Sequence, residues 1–101
     1  METISKKELM SKLGAFVRVE NAPSRNGYGS APNQFILTFE NGEVFQSYRS
    51  MVGIYMNGKY YFTQKHDCSN TTCGHVKRWC NMTAQERRNA LQCGSAVLVE
   101  E

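Results

Sequence analysis

Two Asn-Gly dipeptides constrain this chain more than any other feature. Asn41-Gly42 divides NQFILTFE from EVFQSYRS, and Asn57-Gly58 divides MVGIYM from KYYFTQ. The flanking segments are rich in aromatic and β-branched residues, which suit a pleated, half-buried surface. Asn-Gly favours the paired positive φ angles of a type I′ turn, whose twist matches the strands that it joins. Each unit therefore predicts a β-hairpin. In the second, a two-residue turn sets Tyr55 opposite Tyr60 and Ile54 opposite Tyr61, both favourable cross-strand pairs. In the first, the same register opposes Glu40 and Glu43, a like-charge pair that favours a slightly longer loop.

Helix signals stand on either side of this β-rich centre. Ser5 and Glu8 form a capping box, Ile4 is placed to staple onto Leu9, and Gly14 stops the helix. AFVRVEN then alternates as a short strand. Residues 22 to 33 carry two prolines and no apolar periodicity, and they predict a long loop. After Gln64, Val76, Trp79 and Cys80 recur at helical spacing with Lys77 and Arg78 opposite, and Thr71 or Thr72 is available as N-cap. Thr83 and Glu86 make another capping box before Ala90, Leu91 and Cys93, and Gly94 closes that helix. SAVLVEE reads as a last short strand. The expectation is one α+β domain over residues 1–101. It has an N-terminal helix, a mostly antiparallel sheet of about five strands with two hairpins, and two C-terminal helices before the last strand, with the helices grouped on one side.

A chain of 101 residues can bury one core without metal or disulfide staples. No apolar run is long enough to cross a bilayer, and METISKKELMSKLG has no apolar centre of the kind a secretory signal carries. A cytoplasmic location is expected, where thiols stay reduced and the sequons at Asn70 and Asn81 carry no meaning. Net charge is only +3, a weak field for attracting polyanions.

HDCSNTTCGHVKRWC, residues 66 to 80, holds both histidines and three of the four cysteines. Structural zinc sites take ligands in close pairs on a tight knuckle or one helix face. His66-x-Cys68 and Cys73-x-His75 do not form that pattern. Cys73 lies near a helix start, yet His75 points about 200° around the helix from it, so adjacency supplies no base. Cys80 and Cys93 fall on the apolar sides of their helices, where a free cysteine behaves as a small hydrophobe. Trp79 reads as a core anchor. The stretch is a structural junction, and no catalytic residue, metal ligand or cofactor is expected.

NQFILTFENGEVFQSYRSMVGI, residues 33 to 54, resembles a family of short uncharacterised proteins of bacterial phages, plasmids and other mobile elements. The shared elements stand here as Asn33 to Phe35, Asn41-Gly42, Phe45 to Tyr48, Ser50, and Asp67 through Thr72, and the likeness spans roughly residues 31 to 99. The resemblance implies no chemistry. It implies a context in which small proteins without catalytic motifs act by binding, host defence complexes such as CRISPR effectors included. The expected function is non-enzymatic binding in the cytoplasm of a bacterial host, inhibiting a host protein or ribonucleoprotein complex by surface occlusion. The expected contacts are Arg25 and Tyr28 in the loop, Tyr55 and Tyr60 on the hairpin, and the basic residues Lys65, Lys77, Arg78, Arg87 and Arg88. The alternative is a small nucleic-acid-binding accessory or regulatory protein using the same basic residues with stacking tyrosines. A monomer or an edge-paired homodimer fits either reading.

Overall fold

A computed structural model describes residues 1–23 and 29–100 of the protein. Strand β1 (Thr3–Ser5) leads into helix α1 (Lys6–Lys12), followed by β2 (Phe16–Pro23), β3 (Ser30–Phe39), β4 (Gly42–Ser47), β5 (Ser50–Met56) and β6 (Lys59–Phe62). A 3-10 turn (Gln64–Asp67) precedes α2 (Asn70–Cys80) and α3 (Ala84–Cys93), and β7 (Ala96–Glu100) ends the order. The strands form one mixed sheet in the order β1-β7-β6-β5-β4-β3-β2.

Among the described residues seven strands, not about five, make up this sheet, and a strand precedes the first helix. The reason is long-range pairing. The α2–α3 connection crosses one face of the sheet and inserts β7 parallel to β6, where Tyr61 pairs with Val97. The three residues of β1 then pair in parallel with β7, Ile4 against Val99. So short a strand leaves no alternation to detect. The helices also do not share one side. Leu9 of α1 and Leu13 at its C-cap pack with Val44, Ile54, Met56 and Val99. Val76 and Cys80 of α2 and Leu91 of α3 pack with Phe45, Val52, Phe62 and Ala96. Val44 and Phe45 are neighbours on one strand, so these two clusters lie on opposite faces.

The second hairpin has the expected register, with Tyr55 against Tyr60, Ile54 against Tyr61, and both Asn57 and Gly58 at positive φ. The first does not use Asn-Gly as its turn. Phe39 pairs with Gly42 and Thr38 with Glu43, so Glu40 and Asn41 are the turn residues and the Glu40–Glu43 opposition never arises. The C-terminal end of α1 sets this choice. The Glu40 and Asn41 amides donate to the Ala15 and Leu13 carbonyls at 3.0 Å each, and Asn41 Nδ2 donates to the Lys12 carbonyl at 3.0 Å. The bonds to Lys12 and Leu13 satisfy acceptors that a helix end leaves open. Gly42 serves a different need, since a Cβ there would lie 2.5 Å from the Tyr55 carbonyl oxygen.

Of the loop expected over residues 22 to 33, the described residues 22–23 and 30–33 are strand, while residues 24–28 lie outside the described residues. Pro23 pairs with Ser30, and Ala22 and Ala31 are buried. Pro32 is tolerated because β4 reaches only as far as Gln34, leaving this end of β3 paired on one side.

Candidate functional site

The cysteine- and histidine-rich stretch folds as a 3-10 turn, a short link and α2. Ser69, rather than Thr71 or Thr72, is the N-cap of α2, its hydroxyl accepting from the Thr72 amide at 3.1 Å. The Thr72 side chain turns instead toward the sheet, 3.4 Å from Ser47 Oγ.

Arg87 is the centre of this junction. It is fully buried, although the sequence places it in a basic run with Arg88. Its Nε donates to His66 Nδ1 at 2.9 Å, one terminal nitrogen to the Met82 carbonyl at 2.8 Å, and the other to the His66 carbonyl at 3.0 Å and Cys73 Sγ at 3.2 Å. A planar fork of donors suits four acceptors drawn from three segments. The clue in the sequence is spacing: Arg87 lies four residues before the buried Leu91, on the face of α3 that meets the sheet.

The protonation states follow from this network. Burial, and then the Arg87 guanidinium, lowers the His66 pKa to about 4, so its imidazole is neutral and free to accept at Nδ1. Burial and the hydrogen bond to Asp67 raise the Cys73 pKa, so its thiol keeps the proton that it donates to Asp67 Oδ1 at 3.1 Å. That bond and the Arg88 ion pair hold the Asp67 carboxyl below its ordinary range. His66 Nδ1 and Cys73 Sγ are thus already engaged, and no three His, Cys, Asp or Glu side chains converge as a metal site among the described residues.

Next to this junction α2 and the sheet leave an open cleft of about 450 Å³, lined by Ala22, Pro23, Ile36, Phe45, His75, Arg78 and Trp79. Trp79 is the helix–sheet anchor. Its ring lies 5.5 Å from Phe45 and 5.3 Å from Tyr60, and its indole N–H donates to Glu43 at 2.8 Å. Gly53 makes room for it, because a Cβ there would fall 2.8 Å from the indole ring. The floor of the cleft is apolar and its rim carries the exposed Arg78. Lys77, also exposed, borders with Arg78 a second hollow of about 320 Å³ beside Gly74 and Asn81.

The structure divides the expected contact residues. Lys77 and Arg78 are exposed neighbours on α2. Lys65 is exposed on the 3-10 turn, Arg88 is held by Asp67 and Gln85, and Arg87 is interior, so these residues form no continuous basic face among the described residues. Tyr55 is exposed and its ring lies 4.7 Å from that of the half-buried Tyr60, tilted by 49°, and Tyr60 in turn abuts Trp79. Burial raises the Tyr60 pKa. Arg25 and Tyr28 lie outside the described residues. Cys80 is buried as expected, but Cys93 is exposed beside Ser95, whose hydroxyl lowers its pKa.

The motif residues of the hairpin region meet in space, a convergence that spacing alone does not reveal. Tyr48 and Asn33 both have left-handed backbones, at φ +55° and +65°, and the Tyr48 amide donates to the Asn33 carbonyl at 2.6 Å. Gln34 pairs with Ser47, and Ser47 meets Thr72. NQF, FQSY and the TT of the α2 start thus form one joint between β3, the β4–β5 turn and α2.

No curated protein and no solved structure matches the chain. Residues 19–94, about three quarters of its length, match the model of a family of unknown function (DUF8033), and the chain belongs to that family.

Proposed function

We propose that this protein is a non-enzymatic binding protein of a mobile genetic element, acting in the cytoplasm of a bacterial host by occluding a surface of a host defence complex in the manner of an anti-CRISPR inhibitor. The origin and the class of target rest on the resemblance of the NQF…FQSY segment. The binding mode rests on the cleft. A pocket with an apolar floor of Ile36, Phe45 and Trp79 and a cationic rim at Arg78 suits an aliphatic or aromatic anchor flanked by a carboxylate. The Cys73 thiol, which keeps its proton and already has two partners, fits binding better than covalent chemistry.

The nucleic-acid reading needs a track of phosphate contacts. Withdrawal of Arg87 into the core and pairing of Arg88 with Asp67 leave Lys77 and Arg78 as a local patch, which favours an acidic protein surface.

The test is capture of tagged protein from bacterial lysate, with and without nuclease, for the wild type and for a Lys77→Glu, Arg78→Glu variant. A protein complex that survives nuclease and is lost in the variant is the expected result. Recovery of nucleic acid alone, released as salt rises, would sink the reading in favour of the alternative.

A further inference from the structure

Strand β2 ends the sheet, and one of its edges has no neighbouring strand among the described residues. The other terminal strand, β1, has three residues, whereas β2 has eight, and its Phe16–Asn21 segment is exposed throughout. Phe16, Val17 and Val19 are each 54% exposed. Long edges of this kind pair with further strands unless something blocks them. Register shifts toward β3 lie between Phe16 and Arg18 and between Asn21 and Pro23, which leaves Arg18–Asn21 as a regular run against Thr38–Phe35.

The charges in that run are self-complementary. Arg18 and Glu20 project to the same face, and neither has an ion-pair partner among the described residues. Antiparallel pairing of β2 with a second β2 about a two-fold axis at Val19 sets Arg18 of each copy opposite Glu20 of the other. Val19 then meets its own counterpart on the opposite face. Opposite charges directly across an antiparallel pair stabilise it, and like charges destabilise it. Both ion pairs arise from one symmetry operation, as an isologous contact requires.

We propose that a second copy of this chain is the occupant of the β2 edge, joined through Arg18–Glu20 with the dyad at Val19. The pairing run is short and bounded by irregularities, so the dimer is weak and concentration-dependent. It would present two clefts, and a repetitive target would be held by both. This inference is independent of the partner reading, because a monomeric variant can be put through the same capture.

The experiment is sedimentation velocity on the full chain from micromolar to millimolar concentration, for wild type, Arg18→Glu, Glu20→Arg and the exchanged double variant. Both sites are exposed, and circular dichroism confirms that each variant is folded. The wild type is expected to dimerise, each single variant to lose roughly ten-fold or more in association because its pairs become like charges, and the exchange to restore it. A monomeric wild type, a dimer indifferent to the single changes, or an exchange that fails to restore association would each overturn the proposal.

Discussion

At the scale of single residues, His66 shows how burial turns an ordinary side chain into a pH-dependent one. Its imidazole accepts from Arg87 only while Nδ1 is free of a proton. The folded value of about 4 lies below the ordinary 6.5, so the unfolded chain takes up this proton first. The contribution is therefore complete above about pH 6.5 and is lost as pH falls toward about 4, by up to about 3 kcal/mol. Urea unfolding across that window is expected to show the decline, and replacing His66 with asparagine to flatten it. None of this was legible in the sequence, where His66 stood as one of several donors near cysteines. Which acceptor faces Arg87 depends on where α3 lands, some twenty residues later.

At the scale of elements, local signals and tertiary contacts can be compared directly in the two Asn-Gly units. Around Asn57-Gly58 the turn faces open space, and its preferred geometry is the one adopted. Around Asn41-Gly42 the end of α1 offers acceptors, and the turn slips by one residue to meet them. The glycines should respond differently. Gly58→Ala keeps its space but must hold a left-handed backbone, a cost of about 1 kcal/mol. Gly42→Ala drives a methyl into the Tyr55 carbonyl and must shift the β4–β5 ladder, a cost of about 3 kcal/mol. Unfolding free energies of the two variants check this order. The helices needed no such adjustment. Ser5 and Thr83 cap α1 and α3 as their spacing indicated, Gly94 ends α3, and only at α2 did Ser69 displace the threonines as cap.

At the scale of the whole molecule, the junction around Arg87 ties the 3-10 turn, α2 and α3 together on one face of the sheet. Arg87→Met keeps much of the volume but leaves two carbonyls and His66 Nδ1 without their donor. The expected loss is about 3 kcal/mol, read by denaturant unfolding. Arg87→Lys is expected to recover only part of it, because a point charge cannot span acceptors on both sides of a planar fork. By itself the sequence determined the local elements: the hairpin region, the ends of α1 and α3, and Trp79 and Cys80 facing inward. Those follow from turn chemistry, capping and periodicity, which act over a few residues. Only the tertiary structure decided the parallel placement of β7 and β1, the split of helices between two faces, the interior position of Arg87 and the joining of NQF, FQSY and TT. Each of these is a contact between distant segments, and its free energy comes from packing and hydrogen bonding that no short window of sequence contains.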